Sequence, residues 1–251
     1  MFSTVSTGLS TAPALADASA NDLSSRERWI ELLVVLFVGF AQPIFLSSYV
    51  AVFSLPTSTS SGNFRYLYVC AQEAGALLLL WYVLRRRGRT FASIGLSVKL
   101  RGVGSGIGLG AAGWGVYAAS LVLVEVLHKQ LLGTYVPRTN PSLLFPEASW
   151  AVLIPFVFLN CFVEEAIVRA YLMTELSELT GSIAWAGVVS VLIQVSYHTY
   201  QGWLPVTGHV ATFAVFSFYY ARKRKLFPLY VGHLLIDLFG LGYLLLRWRV
   251  H

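Results

Sequence analysis

Long apolar runs, interrupted by short polar or basic stretches, divide this chain into segments of helical length. The runs cover 29–53, 65–84, 102–127, 150–173, 183–197, 207–220 and 226–246. A stretch of about 20 apolar residues is long enough to cross a bilayer as a helix. The strict alternation of a membrane β-strand is absent. The pattern therefore predicts an all-α fold, a polytopic transmembrane helix bundle with about seven membrane spans. Pro43 should kink the first span. The Ser- and Thr-rich stretch 55–63 reads as an exposed loop, and Gly202 with Pro205 as a short link before the sixth span. The stretch 128–149 carries Pro137, Pro141 and Pro146 and reads as an amphiphilic loop. The fourth run turns polar at Thr174, although helix can continue through Glu175 and Leu179.

The third span opens with Gly102, Gly104, Gly106, Gly108 and Gly110. No strand precedes these glycines, as a dinucleotide-binding turn requires. Gly102, Gly106 and Gly110 recur every four residues, so they form a smooth face for close helix packing.

Composition agrees with the hydropathy pattern. Hydrophobic residues make up 56% of the 251 and charged residues 12%, where a soluble domain would carry about 25% charged. The mean hydropathy is +0.66. No polar segment is long enough to build a separate soluble core. The stretch 1–25 is rich in Ser, Thr and Ala, lacks the basic start and apolar core of a signal peptide, and reads as a disordered tail.

The net charge of +6 is concentrated at segment ends, in Arg85-Arg86-Arg87-Gly88-Arg89 and Arg222-Lys223-Arg224-Lys225. This distribution suits topology control and contact with anionic lipid. No basic face with recognition elements points to nucleic acid. Four spans separate the two clusters, so both fit on one side, the cytoplasmic one, which also places the N-terminus there. Arg247-Trp248-Arg249 then falls outside, in mild conflict with that rule. Cys70 and Cys161 lie in apolar runs and form no CxxC pair, so neither redox chemistry nor a thiolate metal site is suggested.

Against this background the stretch Asn160-Cys161-Phe162-Val163-Glu164-Glu165-Ala166-Ile167-Val168-Arg169 stands out. Ionisable groups at membrane depth cost about 2.5–3.5 kcal/mol each on insertion scales, so they face the bundle interior and mark functional sites. Glu165 and Arg169 stand four apart, acid first, the better order for an ion pair. Glu164 is rotated about 100° away and is left to face something else. His198, His209, His233 and Asp237 are the other ionisable groups in or at the ends of later spans, and His233 shares a helix face with Asp237. Glu73, in the second span, reads as a buried partner for a neighbouring helix.

Glu164-Glu165-x-x-x-Arg169, then His198, then His233-x-x-x-Asp237, resemble the three motifs of the CPBP (Abi) family of intramembrane glutamic endopeptidases. That family includes the type II CAAX prenyl endopeptidases and bacteriocin-processing or immunity proteins. The resemblance covers about 150–240 and implies a catalytic bundle over 149–246, with 26–148 as a variable set of preceding helices. It implies that Glu164 and His198 activate water for attack on a peptide bond. His233 and Asp237 would hold the oxyanion or position the water, and Glu165 with Arg169 would be the structural pair. The second motif usually has Phe four residues before its histidine, and here that position is Gln194.

Hydrolysis of an amide needs a base, oxyanion stabilisation and an acid for the leaving amine. No GxSxG elbow or Ser-Lys arrangement offers a hydroxyl nucleophile. An ionised Asp237 cannot donate to an oxyanion, so its expected part is to orient His233. Two histidines with Glu and Asp are also a zinc-capable set, but HExxH is missing and the ligands are dispersed. No cofactor or metal is expected, with zinc as the alternative. The expected activity is cleavage of a membrane-associated protein or peptide by a multi-pass protein of a prokaryotic cell membrane. A non-catalytic peptide-binding or immunity protein is the alternative. A proton-coupled transporter would predict paired repeats with broken helices, which the chain does not show.

Overall fold

The computed structural model describes residues 23–53, 62–136 and 148–248, with side chains described through 242. The centre of the 55–63 loop, the proline-rich 137–147 stretch, most of the N-terminal tail and the side chains of the terminal Arg247-Trp248-Arg249 anchor lie outside the described residues. Seven long helices form an all-α bundle, and no strand occurs among the described residues. They are α1 (Ser25–Phe53), α2 (Gly62–Arg86), α3 (Leu100–Leu132), α4 (Trp150–Thr180), α5 (Ile183–Ser196), α6 (Trp203–Lys223) and α7 (Leu226–Trp248).

Four of them, α1 to α4, are long and apolar enough to cross a membrane; α5 and the 226–242 part of α7 are shorter apolar helices. Their large apolar side chains point outward as often as inward. Phe37, Phe45 and Leu78 are each about two-thirds exposed or more, as expected where lipid rather than water is the outer solvent. The protein is an integral membrane protein.

The start of α6 differs from the sequence expectation. α6 begins at Trp203, so Pro205 sits in its first turn rather than in a link. A first-turn proline gives up a backbone N–H that has no helical partner there. α4 runs to Thr180, the continuation through Glu175 and Leu179 that the sequence allowed, with residues Glu165–Tyr171 as a π-helical stretch inside it. The Leu172 N–H reaches back five residues to the Ile167 carbonyl. All seven side chains of the stretch are buried, which places it at the centre of the bundle.

The glycines of α3 form the predicted smooth face. A Cβ on Gly106 would stand 2.6 Å from Val231, and one on Gly110 would stand 3.0 Å from the Gly232 carbonyl oxygen. α3 packs along both α6 and α7, while α2 packs on α4 and α5 on α6.

One end of the bundle is held by charge. Glu175 is fully buried and takes hydrogen bonds from Arg28 (2.9 Å), Arg87 (2.7 Å) and Arg89 (3.0 Å). Arg86 and Arg87 also pair with Glu31 of α1. Arg224 reaches Thr174 and Ser177, both at 3.2 Å. Both basic clusters and the start of α1 therefore meet at the C-terminal end of α4, on one side of the bundle.

Gly106→Leu should destabilise the protein by about 1–3 kcal/mol, the usual range for overpacking. Gly104→Leu, whose Cβ would meet nothing within 4 Å, should leave thermal unfolding in detergent unchanged.

Candidate active site

The site grows out of the π-helical stretch of α4. Arg169 is completely buried, so each of its N–H groups needs a partner from a neighbouring helix. Nε donates to Glu165 Oε2 at 3.3 Å, the predicted i,i+4 pair. Nη1 donates to Ser217 Oγ at 2.6 Å, to Ser190 Oγ at 3.1 Å and to the Phe213 carbonyl at 3.3 Å. Nη2 donates to Gln194 Oε1. One cation is thus shared by α4, α5 and α6.

Glu165, fully buried, uses its second oxygen for α7. His233 Nδ1 donates to Glu165 Oε1 at 2.9 Å. A carboxylate only accepts, so this bond places the proton on Nδ1 and leaves Nε2 facing the opposite way. Nε2 points at Asp237 Oδ1, 3.7 Å away, and Glu164 Oε2, 3.9 Å away. The group that orients His233 is Glu165, whereas the sequence assigned that part to Asp237. Asp237 instead accepts the Cys161 thiol at 3.3 Å, and its side chain is about one-third exposed.

Glu164 is buried and does not bond Arg169. Its Oε2 accepts from Gln194 Nε2 at 3.2 Å. The buried Tyr197 hydroxyl lies beside it without a hydrogen bond of ordinary geometry. Gln194 therefore touches Arg169 with its oxygen and Glu164 with its nitrogen.

His198 lies just past the end of α5, where its Nδ1 is 2.7 Å from the Gln194 carbonyl. A carbonyl also only accepts, so Nδ1 carries a proton and Nε2 is the nitrogen left to face elsewhere. His198 and Glu164 make no direct contact; Gln194 stands between them. The His198 ring packs against Tyr197, His209 and Phe213, with centroids 4.7, 4.6 and 5.3 Å away. His209 is tied to Gln201 at 2.9 Å.

Glu73 of α2 is buried and accepts from Asn160 Nδ2 at 2.7 Å, one turn before Glu164. It is thus the inter-helix partner that its position suggested. The contributions of Gln194, Ser190 and Asn160 were not read from the sequence. The signal was present as polar residues at four-residue spacing, Ser190-Gln194-His198 on one helix and Asn160-Glu164 on another. Spacing of four places such residues on one face.

The bundle thus carries Glu164 and Glu165 on α4, His198 just past α5, and His233 and Asp237 on α7. Residues 146–239 match the model of the type II CAAX prenyl endopeptidase Rce1-like family. The match agrees with the CPBP resemblance of the motifs, covers something over a third of the 251 residues, and contains every candidate site residue. The family implies intramembrane protease activity. No curated protein and no solved structure matches the chain.

Arg169→Ala should cost about 3–5 kcal/mol, because it leaves the buried Glu165 carboxylate unpaired. Glu165→Gln should also lower stability, and it should weaken the bond that fixes His233. Thermal unfolding of the purified variants, together with their yield in membranes, checks both.

Proposed function

We propose that this protein is an intramembrane endopeptidase of the glutamic type that cleaves a membrane-associated protein or peptide. The observation that carries the reading is the division of labour in the acidic doublet. Arg169 and His233 Nδ1 bond Glu165, while Glu164 is buried, accepts from the Gln194 amide and stands 3.9 Å from His233 Nε2, away from Arg169. A carboxylate that no guanidinium neutralises keeps its basicity for a water molecule.

In this reading Glu164 takes a proton from water as the oxygen attacks the scissile carbonyl carbon. His198, with Nε2 unprotonated, accepts a second hydrogen bond from the same water and orients it. The carbonyl oxygen becomes an oxyanion on the side of α7, where His233 donates from Nε2 when it holds its second proton. Glu165 keeps the ring in place for that step. Asp237, near the open side of the site, positions the water, since an ionised carboxylate would repel the oxyanion. The proton held by Glu164 then passes to the leaving amine as the C–N bond breaks, which returns the carboxylate to its starting state. No metal is required by these steps.

The basic end of the bundle, where Arg28, Arg87, Arg89 and Arg224 converge, is the cytoplasmic side in this reading, because positive charge stays inside. The start of α1, through Arg28, lies on the same side.

Glu164→Gln should abolish cleavage, by a factor of 10² or more as expected for loss of a general base, while thermal unfolding stays near that of the wild type. Mass spectrometry of membrane peptides, with wild type against Glu164→Gln, should show uncut substrate accumulating only in the variant. Wild-type turnover in Glu164→Gln would rule the mechanism out.

A further inference from the structure

One group in the site has no part in the proposed reaction. Cys161 is completely buried on α4, and its thiol lies against the two α7 residues His233 and Asp237. One donor atom from each of these three residues lies within 4.8 Å of the other two. Cys161 Sγ is 3.3 Å from Asp237 Oδ2, and His233 Nε2 is 3.7 Å from Asp237 Oδ1. Glu164 Oε2 is 3.9 Å from the same Nε2. A tetrahedral zinc ion with bonds of about 2.0–2.3 Å holds its donors about 3.3–3.8 Å apart. The observed spacings fall close to that range.

A second feature points the same way. The non-coordinating nitrogen of a metal-bound histidine commonly donates to a carboxylate, which fixes the tautomer and aims the other nitrogen at the ion. His233 has that arrangement, with Nδ1 on Glu165 and Glu165 on Arg169. The donor set of thiolate, imidazole and carboxylate suits zinc-type cations over calcium or magnesium.

We propose that Cys161, His233 and Asp237 bind a soft divalent cation of the zinc type, with Glu164 as fourth donor, and that occupation inhibits the enzyme. Inhibition rests on the endopeptidase reading, because the ion takes the base and both oxyanion-side residues. Four protein donors close the coordination sphere, whereas a catalytic zinc keeps one position open for water. On binding, the Cys161 thiol and any protonated His233 Nε2 each give up their proton to solvent, and Asp237 turns from the S–H to the ion. Entry is past Asp237, the most exposed of the four side chains.

The test uses the purified full-length chain in detergent and two independent readouts. Titration with Cd²⁺ should give a thiolate-to-metal charge-transfer band that saturates at one equivalent and is displaced by Zn²⁺. The band should be lost in Cys161→Ser and kept in Cys70→Ser. Peptide cleavage by the wild type should fall as Zn²⁺ is added and return with excess chelator. Cys161→Ser should cleave at the wild-type rate without metal and need at least tenfold more Zn²⁺ for the same inhibition. Asp237→Asn should weaken Cd²⁺ binding at least tenfold, a second check should Cys161→Ser fold poorly.

A band that persists in Cys161→Ser, unchanged Cd²⁺ affinity in Asp237→Asn, or cleavage that needs zinc and stops with chelator would overturn the proposal. The absorption band needs no substrate. A chain that binds Cd²⁺ through Cys161 but cleaves nothing would retain the metal site and sink the endopeptidase reading alone.

Discussion

A fully buried guanidinium governs the arrangement of this bundle. Arg169 has left both water and lipid, and a charge in that position survives only with its hydrogen bonds satisfied and its countercharge close by. Glu165 supplies the countercharge from the same helix. Ser190, Gln194, Ser217 and the Phe213 carbonyl supply acceptors from two others. The demand of one side chain thereby fixes how α5 and α6 are rotated against α4. It also decides which member of the Glu164–Glu165 doublet is neutralised. Through the remaining oxygen of Glu165 it sets the ring plane of His233 on α7 as well.

The rest of the bundle is joined by two different means. At the end where the basic clusters gather, Glu175 repeats the principle with the signs reversed, a buried carboxylate ringed by arginines from α1 and the segment after α2. From the start of α7 onward, α3 meets it through glycine and needs no polar group. Apolar helices gain nothing from mutual burial when lipid is the alternative, so close backbone approach and saturated polar groups must hold them together. Each method appears where its residues are: arginines at one end, glycines along one face, and the Arg169 cation in the middle.

Much of this was legible along the chain. Hydropathy marked the helices to within a few residues, and the four-residue glycine period marked the face of α3 that approaches α7. The i,i+4 rule paired Glu165 with Arg169, because both lie on one helix and need no knowledge of the fold. What escaped depends on how separate helices are rotated. Glu165 rather than Asp237 holds Nδ1 of His233, since α7 turns that nitrogen toward α4. The π-helical stretch was invisible because the same residues suit an ordinary α-helix; only the backbone bond that reaches back five residues reveals it. Pro205 was read as a break, although a first-turn proline costs a helix nothing.

Gln194 shows how a departure from a motif can follow from the surrounding charges. The position usually holds Phe in the CPBP motif, and an aromatic ring there would offer neither donor nor acceptor. Here the amide oxygen takes a donor of Arg169, and the amide nitrogen gives a hydrogen bond to Glu164. An arginine or lysine at this place would pair with Glu164 and remove the basicity the proposed reaction needs. An aliphatic residue would leave both an Arg169 donor and Glu164 Oε2 without that partner. A neutral amide with one donor side and one acceptor side meets both demands at once. Its own backbone carbonyl then holds Nδ1 of His198 one turn on. The residue that breaks the motif is therefore the one that connects the structural cation, the proposed base and the second histidine.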